Sequence, residues 1–475
     1  MSPSRRLLML AALASLTACG TPTDTPSPSA PGTLASADNA LRDVAARAAV
    51  LHWNEVATAM VSRVDIPAPL PPAPEALFYA MTSGAVHDVL NAIDRRYEPY
   101  AYAGRASGSV DVAAAVAAAA HGVLAAVATG IKNDPVFPNS KPLDYVDAAY
   151  ASYLATLADG AGKTAGIALG QAVAGAMLAE RAGDGSAGLG LAPYPTPGTP
   201  GAYRPTPPFV APDGITGVAD APGWGAVRPF VLSAPDAFRA PAPYGTTDRA
   251  AAVRTARYTA DFDEVKALGG AVSSRSADET AIAFFWLENS PLGWNRVARA
   301  LGDTPRFDAW RLARLLALVQ LAEADSYIAS FDSKYAHAFW RPITAIRLAA
   351  DDGNDATAAD PSWDVASSLF GVPTPPVPDY PSAHSSAGGA AEAVLQDVVR
   401  GRTAFTMESS SLPGQARSFG SVTEAARENA VSRVYVGYHF RLATEAGLEQ
   451  GRQVGRYVVA HALLPVHGRP EQGAD

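Results

Sequence analysis

Three short clusters in the C-terminal half gather residues that bind anions and move protons. The first, KYAHAFWRP, places Lys334 and Arg341 seven positions apart. Seven helical positions turn through about 700°, which returns the two cations to nearly the same face, where they can approach one ion. Pro342 should end or kink that helix and turn Arg341 inward. The second is Pro381-Ser382-Ala383-His384, which follows a proline-rich loop and precedes the small-residue run SSAGGAAEAVL. A turn entering a helix directs free backbone N–H groups outward, Ser382 adds a hydroxyl donor, and His384 exchanges protons near neutral pH. The third, SRVYVGYH, opens at Ser432 and closes at His439. Its Arg433 is a fork that chelates oxyanions, and His439 can present an unprotonated nitrogen. Six helical positions leave these two about 120° apart, so an ion between them sits off the helix axis or the helix bends near Gly437. Standing alone, the clusters have plainer readings: a solvated charged face, a capped helix with a packed histidine, and a core histidine among aromatics.

Helices must position these side chains. Ala, Leu and Val recur at helical spacing, as in Leu312, Leu315, Leu316 and Val319, and the alternating β-branched pattern of strands is scarce. The expected fold is all-α, two packed helical bundles with a long Pro/Gly-rich connection. Segments near 37–62, 74–95, 111–130, 142–158 and 162–182 build the first bundle, each bounded by Pro, Gly or Asp. The connection, Gly183 to Tyr244, contains YPTPGTPGAYRPTPP and APGWGAVRPF, too many prolines for regular structure. Helices resume near Asp248 and run to about Leu464, interrupted by the proline-rich run Val372 to Pro381. The expected domains are 36–247 and 248–470.

With 475 residues, 48% hydrophobic and 17% charged, the chain can bury a substantial core and is neither disordered nor a coiled coil. A formal charge of -9 argues against nucleic acid as a partner, because phosphate-backbone binding needs a basic surface. Cys19, the only cysteine, closes a segment in which Arg5 and Arg6 precede the apolar run Leu7 to Leu16. Residues 1–19 therefore read as an export signal, and the ending Leu-Thr-Ala-Cys resembles a bacterial lipobox, which implies cleavage before Cys19 and lipidation of its sulfur. A signal with an incidental cysteine is the alternative. Residues 20–35 read as a disordered, solvated tether. The expected location is outside the cytoplasm, on the bacterial cell envelope, with the lipid at Cys19 as sole membrane attachment. No cysteine then remains for a disulfide, a zinc cluster or a thiol nucleophile.

In order and internal spacing the three clusters resemble the signature of the vanadium haloperoxidase and type 2 phosphatidic acid phosphatase superfamily: K-x6-R-P, P-S-G-H and S-R-x5-H. Nine of ten fixed positions match, through Lys334, Arg341, Pro342, Pro381, Ser382, His384, Ser432, Arg433 and His439, and Ala383 stands where glycine is usual. The flanking FWRPITAIR, PTPPVPDYPSAHSS and SRVYVGYHFR, with DFDEVKALGG and SRSADETAIAFFW upstream, are similar to the bacterial haloperoxidase branch. The resemblance implies vanadate as cofactor, with Lys334, Arg341 and Arg433 neutralising its oxygens and Ser382 and the amide of Ala383 completing the hydrogen bonds. It further implies His439 as the vanadium ligand and His384 as acid and base toward peroxide. In the phosphatases of the superfamily the same two histidines become nucleophile and leaving-group acid.

Three positions depart from the pattern. Ala383 brings a Cβ that glycine lacks, although its amide survives. The phosphatase signature continues with Asp four residues past the last histidine, where this chain has Ala443, so the partner that orients His439 must come from elsewhere. Val377 occupies the position five before the serine, which is aromatic or histidine in well-known haloperoxidases. The leading expectation is a vanadate-dependent haloperoxidase that oxidises halide with hydrogen peroxide. The alternatives are a phosphomonoesterase acting on a phosphate ester through His439, and a non-catalytic oxyanion-binding lipoprotein. His52, His87, His121, His461 and His467 have no metal-ligand partners in sequence and read as structural. His337 either lines the pocket or lies behind it, and Asp325 and Asp332 are candidates to orient His384.

Overall fold

The computed structural model describes residues 31–62, 70–132, 141–211, 217–401 and 403–466. The expected signal sequence with Cys19, most of the expected tether, and His467 lie outside them. Helix α1 (Pro31–Ser62) begins inside the span expected to be tether, with a proline in its first turn, where no intrahelical N–H bond is lost. It is followed by α2 (Pro72–Ile93), α3 (Val112–Lys132), α4 (Pro142–Ala155) and α5 (Ala161–Arg181). The second half contains α6 (Arg249–Ala252), α7 (Ala256–Leu268), α8 (Ala277–Phe285), α9 (Ser290–Gly302), α10 (Ala309–His337), α11 (Pro342–Arg347), α12 (Ala383–Val399), α13 (Val422–Tyr435) and α14 (Arg441–His461). Start signals written in the sequence set many of these boundaries. Thr255, Asp308, Ser382 and Ser421 each accept a hydrogen bond from a first-turn amide, and Ser276 forms a full capping box with Glu279.

Residues up to Leu41 form one unit and Arg42–Asp475 a second. Within the second, α3 packs on α2, α4 and α5, while α10 packs on α2 as well as on α9, α12 and α14, which ties the N-terminal helices to the C-terminal ones. The apolar stretch Val112–Ile131 is long enough to cross a membrane, with a mean hydropathy of 1.9, but 67% of it is buried among these neighbours, as befits a core helix. Helix α14 lies unusually close to α12. A Cβ on Gly447, Gly451 or Gly455 would collide with the backbone of Ser382, Ser386 and Ala390 respectively, so one glycine stripe seats α14 directly on the start of α12.

The connection is more ordered than its prolines suggest. Strands β1 (Leu191–Tyr194) and β2 (Gly217–Asp220) pair antiparallel with Pro193 opposite Val218. A two-stranded ribbon has only edge strands, where a missing N–H is tolerated. A second hairpin, β3 (Phe405–Glu408) with β4 (Ala416–Phe419), lies between α12 and α13. The connection is also fastened to the clusters picked out in the sequence: Tyr203 N–H donates to Ala338 O (2.8 Å), Trp340 N–H to Gly201 O (2.9 Å) and Asp220 N–H to Pro376 O (2.8 Å).

Candidate active site

The three clusters converge. Lys334 occupies the last turn of α10, which ends at Ala338 in the left-handed region (φ 45°). The break swings the chain into Arg341, the N-cap of α11, instead of prolonging α10 to reach it. Both cations grip the proline-rich loop: Lys334 Nζ donates to Pro378 O (2.7 Å) and Asp379 O (3.1 Å), and Arg341 Nε to Val377 O (2.7 Å). One Arg341 Nη donates to Tyr438 O (2.9 Å) and lies 3.5 Å from His439 Nε2. Helix α13 ends after Tyr435, and Gly437 takes a positive φ of 85° that bends the chain, so Arg433 and His439 need not share a helical stripe. Arg433 Nη donates to Trp286 O (2.9 Å) from the end of α8.

Ser382 caps α12. Its Oγ accepts from the N–H (3.3 Å) and hydroxyl (3.0 Å) of Ser385, which leaves its own hydroxyl hydrogen available to a ligand, as are the first-turn amides of Ala383 and His384 by the geometry of a helix start. Ala383 has no positive φ, so its Cβ fits an ordinary first helical turn. Ala443 O accepts the Ser382 N–H (2.8 Å), so the position that carries Asp in the phosphatase pattern here fixes the cap through its backbone.

Charge dominates the environment. Lys334, Arg341 and Arg433 are 1%, 1% and 5% exposed. Burial, reinforced by the Arg341 charge, holds Lys334 well below the usual lysine range, and burial lowers Arg433 to about 10. His439 Nδ1 is 2.9 Å from Asp379 Oδ1, a carboxylate that is itself 1% exposed. Burial, followed by Arg341, Lys334 and Arg433, pushes His439 well below its ordinary value, so the ring stays neutral with Nδ1 on Asp379 and Nε2 toward Arg341. His384 is lowered by burial and then by Arg433. Three buried cations beside one carboxylate are costly without an anion. Among the described residues Arg433 Nε and His384 Nε2 are also buried without a hydrogen-bond partner, which fits a compact oxyanion as the missing neighbour.

Residues 314–468 match the family described as the VCPO second helical-bundle domain. The vanadium chloroperoxidase of Curvularia inaequalis is 27% identical over 254 residues, which cover 40% of this chain and 41% of that relative. Among solved structures, a bacterial vanadium-dependent iodoperoxidase superposes with a TM-score of 0.69 at 23% identity, over 90% of this chain and 98% of its own. A holo-type bacterial vanadium-dependent chloroperoxidase gives 0.63 at 18% identity, over 84% of this chain and 94% of its own. Residues 314–468 thus resemble the VCPO second helical-bundle domain in sequence, and the chain shares its fold with these two bacterial vanadium haloperoxidases.

Within this fold, Asp379 is the candidate site residue that the sequence motifs did not single out. It is the sole charged residue of the loop from Val372 to Pro381, and that isolation among prolines was the available signal. Neither Asp325 nor Asp332 orients His384. Asp325 accepts the amides of Phe230, Val231 and Leu232 (2.6, 2.8 and 2.9 Å), and Asp332 pairs with Arg239 through two contacts of 2.7 Å, so both hold the connection. His337 also faces the connection, with Nε2 2.8 Å from Ala240 O and its ring against Tyr380. The remaining described histidines have structural neighbours: His52 stacks on Tyr153, His87 meets Asn91 (2.7 Å), His121 meets Asp147 (2.8 Å) and His461 meets Tyr457 O (2.8 Å).

Proposed function

We propose that this protein is a vanadate-dependent haloperoxidase that oxidises halide with hydrogen peroxide. The observation that carries the proposal is the burial of Lys334, Arg341 and Arg433 around the Asp379–His439 pair, a pocket whose charge calls for a small multivalent oxyanion. The three cations would neutralise the bound oxyanion, with Ser382 Oγ–H and the Ala383 amide as further donors. His439 Nε2 would be the ligand, its lone pair directed by the bond from Nδ1 to Asp379. When bound, vanadate supplies a Lewis acid that activates peroxide toward halide. His384, lowered by burial and Arg433, is poised to take a proton from incoming peroxide at Nε2 and return it later.

The Asp379–His439 pair also favours a second reading, a phosphomonoesterase in which His439 Nε2 is the nucleophile and His384 protonates the leaving alcohol. Vanadate titration of wild type, His439→Ala and His384→Ala separates the two. The haloperoxidase reading expects His439→Ala to lose vanadate retention and His384→Ala to keep it while losing halide oxidation. Wild-type vanadate binding without halide oxidation, together with a trappable phosphohistidine absent from His439→Ala, would establish the phosphatase. The signal-like N-terminus supports a site of action outside the cytoplasm, tethered through Cys19. Detergent partitioning that survives Cys19→Ser would refute that tether.

A further inference from the structure

A second cavity, of about 590 Å³, opens between α2, the end of α3 and the connection. Its walls are apolar and aromatic, including Phe78 and Met81 from α2, Ile131 from α3, and Trp224. Leu191 at the start of β1 also lines it while remaining 59% exposed, a large apolar side chain left facing water. Asp220, the last residue of β2, puts one carboxylate into this lining. Its main chain is fully engaged, with N–H on Pro376 O and O accepting from the Tyr335 hydroxyl, but among the described residues its carboxylate has no hydrogen-bond or ion-pair partner. Size and composition match a small-molecule site, in which apolar walls supply affinity and one polar group fixes orientation.

We propose that this cavity binds a hydrophobic organic cation, a primary amine on an aromatic or alkyl body, with its ammonium on Asp220. A desolvated carboxylate among apolar groups is compensated most fully by a cation, and the rings of Phe78 and Trp224 attract a cation through their faces. The site is connected to the proposed oxyanion pocket through the Asp220 backbone. Pro376, which holds the Asp220 amide, precedes Val377, which holds Arg341, and Tyr335, which holds the Asp220 carbonyl, follows Lys334. The Asp220 backbone thus links this cavity to the two segments that position Lys334 and Arg341.

Isothermal titration of the full chain with 4-phenylbutylamine, and with the neutral isostere 4-phenylbutan-1-ol, tests the assignment. The amine should bind saturably and at least 10-fold more tightly than the alcohol. Asp220→Asn should remove that preference and leave alcohol binding within 2-fold of wild type, while Met81→Trp should weaken both ligands by filling the cavity. Thermal melting of each variant establishes that it is folded. Equal binding of amine and alcohol to wild type, an amine affinity unchanged in Asp220→Asn, or no saturable amine binding at millimolar concentration would overturn the proposal. The measurement needs neither vanadate nor turnover, so its outcome is independent of the haloperoxidase reading.

Discussion

Replacing Asp379 with alanine separates orientation from charge in the proposed oxyanion pocket. The side chain makes a 2.9 Å hydrogen bond to His439 Nδ1 with both partners almost wholly buried, 1% and 5% exposed. A hydrogen bond to a charged group contributes about 1.5–3 kcal/mol, and loss of the partner that orients a ligating histidine costs about 10–100-fold in metal affinity. Vanadate affinity should therefore fall by about one to two orders of magnitude in Asp379→Ala. Electrostatics acts in the opposite sense at alkaline pH, because burial raises the Asp379 carboxyl to about 8 against the pull of Arg341 and Lys334, and above that value the substitution removes a negative charge and leaves the pocket more positive. Inorganic phosphate, held by charge and hydrogen bonds without a bond to His439, should bind Asp379→Ala as tightly as wild type or more so. Equilibrium dialysis of both anions against wild type, Asp379→Ala and Asp379→Asn reads the two effects separately, with Asn expected to lie between. Vanadate binding that is unchanged, or that tightens in parallel with phosphate, would refute the orienting role.

Glu75 is 2% exposed, and burial raises its carboxyl from an ordinary value near 4.5 to about 8, so the folded chain retains a proton that the unfolded chain releases. The unfolded state then binds fewer protons between these values, and stability falls as pH rises from about 4.5 through about 8. Denaturant melts at pH 5 and pH 8 should show Glu75→Gln losing less stability than wild type, by up to a few kcal/mol, and identical pH dependence would refute the assignment. Asp325→Ala strands three amides of the connection, two of them buried, and should cost roughly 3–5 kcal/mol in urea melts, because each unsatisfied group carries its own desolvation penalty; a loss below about 1 kcal/mol would sink the argument. Gly451→Ala drives a methyl into the Ser386 carbonyl and should cost at least ~1–3 kcal/mol by overpacking while weakening vanadate binding through the displaced Ser382 cap, so a thermally neutral variant would contradict the close seating of α14.

Sequence determined those features governed by local covalent and helical rules. Helical periodicity bounded by proline, glycine and aspartate gave the first five helices to within a few residues, apart from the start of α1, which reaches back to Pro31, whereas the C-terminal helices were legible only as a helical span from about Asp248 to Leu464. The fixed spacings of Lys334 to Arg341 and Arg433 to His439 marked the clusters that the fold brings together, because each cluster lies within one short stretch of chain. Tertiary structure decided what depends on partners distant in sequence. Asp379 and His439 are separated by 60 residues, and their pairing arises where the proline-rich loop meets the bend after α13. Asp325 and Asp332 precede Lys334 on α10, yet α10 turns them toward the connection, where backbone amides and Arg239 satisfy their charge. The connection itself appeared irregular because its prolines forbid a wide sheet, whereas a two-stranded ribbon tolerates them and hydrogen bonds to Ala338 and Pro376 supply the remaining order. Composition can mark a residue as able to ligate or to carry a proton, but which charge faces which is settled only when helices as close as α12 and α14 bring their ends together.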